Sequence, residues 1–324
     1  MPSPPHRPNL LAWQVFRGSD AIRQGLVTEH QLRSSAWQRL RHDVYADARL
    51  ARDHALACRA AALRLPPEAV VAGPSAAYLH GVGHAASFTD DVHVIVPRAM
   101  RLGQQRGLRV HSTGPAMSPR APARADRASG GLCVATRPPA TGLSVADLRT
   151  AGLPASTDPA TAAWETAVWL EPLRAVGIVD TMLRQGLTSR DALADIAGRN
   201  ADRPGGRRAR WVFGLADPGA RSPGESELRV RLVLAGLPRP AARHPIRVAA
   251  GLVLHADLAW PAFRVAVAHD GQQAEAGGGD LDRIARLVGA GWLVLPVTGR
   301  RLRHDFPGVL REARAALAGR GWRP

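Results

Sequence analysis

The sequence predicts an α/β fold (α+β, multidomain). At 324 residues the chain is longer than one typical domain, and an apolar content of 45% is enough for ordinary hydrophobic cores. Segments with helical spacing alternate along the chain with short runs of strand-like alternation. We expect a small N-terminal domain over residues 1–50, an α/β unit over 51–150, a helical connector over 151–221 and a second α/β domain over 222–324.

The charge is strongly basic. The net charge is +16, and all 43 basic residues are arginine, because the chain contains no lysine. The excess of arginine over acidic residues favours a polyanionic partner such as DNA, since arginine neutralises phosphates and releases their counterions. The absence of lysine excludes a P-loop lysine and a Schiff-base lysine.

The two cysteines, Cys58 and Cys133, are far apart and belong to no metal-binding pattern. This usage indicates a reducing compartment without a disulfide framework or a structural zinc site. No apolar run approaches the ~18 residues of a membrane span, and the first residues lack the apolar core of a signal peptide. We expect a cytoplasmic protein with no membrane partner.

The first 50 residues predict a winged helix-turn-helix. Helical spacing covers Leu10–Gly25, and Thr28 is placed to cap a second helix over Glu29–Ser34. A third, basic helix is expected over Ser35–Arg41, followed by a strand near Val44. Three helices followed by a strand give the element order of a winged helix-turn-helix.

The sequence of this segment resembles the N-terminal winged-helix domain of AbiEi-type antitoxins. The matching residues are Gly25-Leu26-Val27-Thr28, Leu32, Arg39, Arg41 and Val44-Tyr45. Asp43 stands where that family usually has glycine. The resemblance implies DNA contact by the third helix and its flank, with these candidates: Arg33, Ser35, Trp37, Gln38, Arg39 and Arg41. A helical domain with a solvated basic face is the alternative.

Residues 51–150 predict a helix followed by strands. An alanine-rich helix is expected over Asp53–Leu65, and alternation indicates strands at Val92–Pro97 and Leu108–His111. Ser75 is placed as a helix N-cap, with no nucleophile-elbow spacing around it. A longer helix is expected over Thr157–Met182, with its tryptophans in a core.

The C-terminal segment predicts a helix, a hairpin, a helix, a strand and a final helix. Ser222 is expected to cap the first helix, with Glu225 in a capping box. Period-2 alternation across the hairpin places Asp257, Ala266 and Ala268 on one face, and Asp270 follows the second strand. Carboxylates held on neighbouring strands suit a hard cation such as Mg²⁺.

This segment resembles the very-short-patch-repair-type endonuclease domain, a branch of the PD-(D/E)xK nuclease superfamily found in many actinobacterial proteins. The matching pieces are Ser222–Arg229, Ala235–Pro238, Asp257–Pro261, Val265–Val267, Asp270-Gly271, Asp282-Arg283, Gly291-Trp292 and Arg320–Trp322. The resemblance implies a restriction-endonuclease-like fold with Glu225, Asp257 and Asp270 as catalytic residues, and with Mg²⁺ bound by Asp257 and Asp270.

The departures from that family concern the active site. Ala268 stands where the family has a carboxylate, Ala274 where it has a histidine near the end of the segment, and Pro296 where it tends to have arginine. The lysine of the superfamily signature is absent as well. Loss of a carboxylate and a histidine together indicates a vestigial catalytic site.

Three functions remain open at this point. The first is a DNA-binding protein, a transcriptional regulator or antitoxin-like factor, with a degenerate nuclease domain and no certain cofactor. The second is an active Mg²⁺-dependent DNA endonuclease that uses Glu225, Asp257 and Asp270. The third is a protein-interaction component of a toxin–antitoxin or defence system, with a cognate toxin as partner. A homodimer is expected by analogy with other helix-turn-helix proteins.

Overall fold

The computed structural model describes residues 6–113, 153–248, 251–270 and 279–323, and the chain divides into two compact units, Met1–Glu165 and Thr166–Pro324. Both units combine helices with β-sheet, which confirms the predicted α/β class. The expected boundaries at residues 50 and 221 lie inside these units, and the one at residue 150 lies outside the described residues. Among the helices described, none combines the length and the apolar composition that a membrane span requires.

The N-terminal segment forms a three-stranded antiparallel sheet with short helical pieces. Strands β1 (Val15–Arg17), β2 (Trp37–Arg41) and β3 (Val44–Asp47) lie in the order β1-β3-β2. Helix α1 covers Gly18–Arg23, and 3-10 turns cover Asn9–Leu11 and Gln31–Arg33. The capping box is present, with Gln31 Oε1 accepting from the Thr28 amide at 2.8 Å, but it opens only a 3-10 turn. The helix predicted over Leu10–Gly25 exists only in its second half.

The helix predicted over Ser35–Arg41 is wrong, because strand β2 occupies this segment. The buried Trp37 ring packs edge-on against Phe16 with 5.1 Å between ring centroids, while the neighbouring Arg39 points to solvent. A tight turn follows, in which Asp43 has a φ of 60°, the left-handed conformation that glycine adopts most easily. Pairing with β3, which a short residue pattern does not reveal, decides in favour of the strand.

The rest of the first unit is a mixed sheet covered by helices. Its strands β4 (Val70–Val71), β5 (Val92–Pro97) and β6 (Leu108–Thr113) lie in that order, with β4 and β5 antiparallel and β5 and β6 parallel. Helices α2 (His54–Ala62) and α3 (Gly73–Leu79) accompany them. The N-cap role predicted for Ser75 is wrong, because Ala72 precedes the helix. The fully buried Ser75 hydroxyl instead accepts from the His93 amide at 2.9 Å and lies 2.8 Å from His54 Nε2.

A run of helices leads to the C-terminal sheet. The helix predicted over Thr157–Met182 is two helices, α4 (Pro159–Trp169) and α5 (Pro172–Arg184). The break lies at Glu171, whose carboxylate caps the second helix. Pro172 follows at the first helical position, where the missing N–H of proline costs no hydrogen bond. Helices α6 (Arg190–Arg199) and α7 (Gly206–Leu215) follow.

The C-terminal sheet has four strands in the order β10-β9-β8-β7. The strands are β7 (Ala241–Arg247), β8 (Val253–Trp260), β9 (Val265–Asp270) and β10 (Leu293–Thr298). The helices are α8 (Pro223–Leu234), α9 (Gly279–Gly289), α10 (Gly299–His304) and α11 (Phe306–Gly319). Strands β8 and β9 form the expected hairpin around a 3-10 turn at Pro261–Phe263, and β10 runs parallel to β9.

One face of this sheet packs against helices α8 and α11. The buried residues are Leu228, Leu232, Leu258, Trp260, Val265, Val267, Val309 and Leu317. Alternate residues of β8 and β9 supply this core, so the period-2 pattern of the hairpin fixes which side chains enter it. The first turn of α8 is thereby held beside the sheet, and it carries Glu225.

Candidate nuclease-like site and basic surface

Glu225 lies in the first turn of helix α8, where it completes a capping box. The Ser222 hydroxyl accepts from the Glu225 amide at 3.2 Å, and Glu225 Oε2 accepts from the Arg221 amide at 2.8 Å. Burial raises the pKa of Glu225; the Arg221 hydrogen bond opposes this, and the nearby charge of Asp257 raises the pKa further. Two of the three carboxylates predicted as catalytic, Glu225 and Asp257, are therefore electrostatic neighbours.

Asp257 lies where strands β8 and β9 separate. Their ladder pairs Leu258 with Val267, Ala259 with Ala266 and Trp260 with Val265. Beyond it, the His269 amide donates to Asp257 Oδ2 at 2.8 Å. The same oxygen accepts from Arg283 Nη2 of helix α9 at 2.9 Å, and the side chains of this ion pair are only 29% and 14% exposed. A guanidinium thus pairs with the carboxylate that the resemblance predicted as a metal ligand.

His269 belongs to the same cluster. Its Nδ1 is 2.9 Å from the Val297 carbonyl oxygen, which can only accept, so this nitrogen carries the proton. Its Nε2 faces the first turn of α8, where a Cβ added to Gly224 would lie 2.5 Å from it. Strand alternation explains this position, because His269 lies on the same face of β9 as Val265 and Val267, opposite Ala266, and that face packs against α8.

The described residues do not fit a Mg²⁺ ion. Asp257 Oδ2 is engaged by Arg283 and the His269 amide, and both Glu225 oxygens accept hydrogen bonds within the helix cap. Ala268 offers no side-chain oxygen, and no group of three or more His, Cys, Asp or Glu residues is placed to hold a metal within the described ranges. The Asp270 side chain and Ala274 lie outside the described part of the structure.

The six residues predicted to contact DNA fall into two groups. Three serve the fold: Trp37 is 6% exposed, Gln38 Nε2 donates to the Asp47 and Leu50 carbonyls, and Arg41 donates to the Arg106 and Gly107 carbonyls. Burial lowers the pKa of Arg41. The other three, Arg33, Ser35 and Arg39, are exposed. This segment therefore has no recognition helix. The exposed candidates lie on β2 and on the turn before it.

Sequence reasoning missed the contacts of Arg283 and Gly224. Arg283 was identified only as part of the matching pair Asp282-Arg283, and its partner Asp257 is 26 residues earlier on a strand. Gly224 was noted only beside a helix cap. The sequence did contain a signal for the close approach at Gly224, because a glycine in the first turn of a helix is unusual.

Two proteins of Mycobacterium tuberculosis, from strains CDC 1551 / Oshkosh and ATCC 25618 / H37Rv, are similar to this chain. Each is 31% identical over 159 residues, which is 48% of this chain and 58% of the relative, and both are described as uncharacterized. The match therefore spans little more than half the length of either relative. No protein-family model matches the chain, and neither does any solved structure.

Proposed function

We propose that this protein binds DNA without cleaving it. The observation that carries the second half of the proposal is the Arg283–Asp257 ion pair. Hydrolysis of the phosphodiester by a nuclease of this kind needs free carboxylate oxygens to hold metal ions. Here Asp257 is ion-paired with Arg283, and Ala268 on the neighbouring strand offers no carboxylate.

The charge of the chain supports DNA as the partner. The net charge of +16 comes from arginines, which form paired hydrogen bonds to phosphate. In the N-terminal segment Arg33 and Arg39 are exposed, on the turn before β2 and on β2 itself. Binding without cleavage is the property that a transcriptional regulator or an antitoxin-like factor requires.

Plasmid retardation and nicking in the same samples test both halves of the proposal. We expect supercoiled plasmid with Mg²⁺ or Mn²⁺ to be retarded but intact, equally for the wild type and for Asp257→Ala. The double variant Arg33→Ala/Arg39→Ala is expected to bind more weakly and to reduce the slope of log K against log salt by about 2, roughly one per lost phosphate contact. Arg23→Ala is the matched control, because Asp20 already neutralises this exposed arginine at 2.5 Å.

Three outcomes would contradict the proposal in different ways. Metal-dependent nicking that disappears in Asp257→Ala would establish the active endonuclease instead. If the double arginine variant has the same slope of log K against log salt as the wild type, Arg33 and Arg39 do not contact DNA. Neither retardation nor nicking by the wild type would leave the interaction with a protein partner as the function to pursue.

A further inference from the structure

Trp13 combines an unusual backbone conformation with a partly exposed indole. The residue is 44% exposed, and its backbone has a φ of 60°. The left-handed conformation is unfavourable for a bulky residue, and such strain persists only where surrounding contacts enforce it. The buried part of the indole and the contacts described next hold the exposed part at this place on the surface.

A fully buried carboxylate, Asp47, enforces this arrangement. Asp47 Oδ2 accepts from the Trp13 amide at 2.9 Å, and Oδ1 accepts from the Arg49 amide at 3.1 Å. The guanidinium of Arg49 adds a bond of 2.6 Å from Nη2 to Oδ2, and Arg7 Nε lies 3.5 Å from Oδ1. Burial alone would raise the pKa of Asp47, but the bonds from Arg49 and Trp13 bring it below its usual range. The Asp47 carboxylate is therefore ionised, and it holds Trp13, Arg49 and Arg7 close together.

The groups that Asp47 positions form a cationic corner of the surface. The Arg49 guanidinium lies over the Trp13 ring at 4.2 Å from its centroid, and the residue is still 44% exposed. Arg7 Nη2 also reaches the Ala36 carbonyl, beside the exposed Ser35. Two guanidiniums and one carboxylate leave this corner with a charge of about +1 at neutral pH.

We propose that Trp13, with Arg49 and Arg7, is a stacking site for an unpaired nucleobase, and this inference rests on the proposed DNA binding. A planar base would stack on the exposed part of the indole, and the phosphates of the same strand would pair with the guanidiniums of Arg49 and Arg7, whose side chains are 40% and 24% exposed. Stacking on an aromatic ring is tolerant of sequence, because every base has a π-face. Paired bases inside a duplex are not accessible to such a ring, so the site selects single-stranded or extruded nucleotides.

The test compares single-stranded and duplex DNA on the full-length protein. Fluorescence anisotropy would measure the binding of a labelled thymidine 12-mer and of a blunt hairpin duplex at one salt concentration. Trp13→Ala is expected to weaken single-strand binding by about 5- to 150-fold, the range of one base–aromatic stack, and to leave duplex binding within about twofold. Trp13→Phe is expected to retain most of the affinity. Trp211→Ala is the matched control, because Trp211 is 43% exposed in the other unit.

The fold of the variants is checked independently. The backbone amide of residue 13 keeps its hydrogen bond to Asp47 in Trp13→Ala and Trp13→Gly, but both variants lose the buried part of the indole and its contact with Arg49, so thermal melting is measured for each. Trp13→Gly also relieves the unfavourable left-handed conformation and is expected to melt above Trp13→Ala. Trp13→Gly must then show the same loss of single-strand affinity as Trp13→Ala.

Each failure has a distinct signature. Equal single-strand affinity in the wild type and Trp13→Ala overturns the stacking site while leaving DNA binding intact. Duplex binding by the wild type without measurable single-strand binding does the same, and it points to a protein partner for the exposed indole. Absence of binding to either DNA overturns the proposed function and this inference together.

Discussion

The buried ion pair between Asp180 and Arg229 should dominate the stability of the second unit. Both side chains are 0% exposed, and Arg229 Nη2 lies 2.8 Å from Asp180 Oδ2. The Asp180 carboxylate also accepts from the Ser226 hydroxyl at 2.7 Å and from the Asp217 amide at 2.6 Å, while Arg229 donates to the Leu215 carbonyl. This network joins helix α5 to helix α8, which carries Glu225 in its first turn.

Replacing one member of the Asp180–Arg229 pair should lower the free energy of unfolding far more than replacing both members together. Asp180→Leu leaves an uncompensated arginine and two donors without an acceptor, and Arg229→Met leaves a buried carboxylate, so each is expected to lower the free energy of unfolding by about 3–5 kcal/mol. The double variant replaces the pair by apolar groups of similar volume and should lie within about 2 kcal/mol of the wild type. The two single effects therefore should not add, and the coupling should be about 3 kcal/mol or more.

Urea unfolding of the full-length protein, followed by circular dichroism, measures these differences. Because the chain has two compact units, each transition is fitted separately, and only one of them should move. The control is the exposed pair Arg301–Glu312, only 2.6 Å apart with side chains 30% and 49% exposed, whose loss should cost less than about 1 kcal/mol. Additive effects of the two buried substitutions, or single losses as small as the control's, would refute the reasoning.

Three further predictions concern individual residues. Burial raises the pKa of Glu165 to about 8, so the folded state keeps this proton, and the free energy of unfolding should fall as pH rises from about 4.5 to 8, by up to ~5 kcal/mol relative to Glu165→Gln. Gly224→Ala should displace the His269 ring, seen as a shifted imidazole resonance in NMR spectra. Asp43→Gly and Asp43→Ala both lose the hydrogen bonds that the carboxylate accepts from Ser19 and Arg17, but glycine accepts the φ of 60°, so Asp43→Ala should lose about 1–2 kcal/mol more than Asp43→Gly; thermal melting compares them.

Each of these has a result that would count against it. A pH-independent difference between the wild type and Glu165→Gln would mean that the carboxyl is ionised when folded. An unchanged His269 resonance in Gly224→Ala would mean that the ring does not touch the helix. Equal melting of the two Asp43 variants would show that the Ser19 and Arg17 hydrogen bonds to the carboxylate, rather than the turn's backbone, determine the stability of this hairpin.

The sequence was most informative where local signals and tertiary pairing agree. The hairpin after Asp257, the Ser222 cap and the strand at Leu293–Thr298 follow from period-2 alternation, capping chemistry and glycine placement, each of which acts within a few residues. In contrast, Trp37–Arg41 is too short for its periodicity to separate a helix from a strand. The deciding contacts are with β3 and with Phe16, which the local pattern does not contain.

The same distinction explains what was missed at the candidate site. Glu225 and Asp257 were identified because they belong to matching segments with fixed spacing. The Arg283–Asp257 pair and the Asp180–Arg229 pair join residues 26 and 49 positions apart on different elements. No spacing rule connects such positions, and only the packing of α9 on the face of the sheet or of α5 on α8 brings them together.

The arginine at Asp257 has a consequence for how DNA would approach the C-terminal unit. A cluster of free carboxylates repels the phosphate backbone until metal ions neutralise it, so binding at a nuclease site depends on those ions. Arg283 is ion-paired with Asp257 at 2.9 Å, and its side chain is 29% exposed. Under the proposed function, phosphate approaches a surface whose acidic group is already compensated, and affinity does not depend on a divalent cation. Under the same proposal, alanine at position 268 leaves this face with one negative charge fewer than a carboxylate would give, which favours the approach of phosphate.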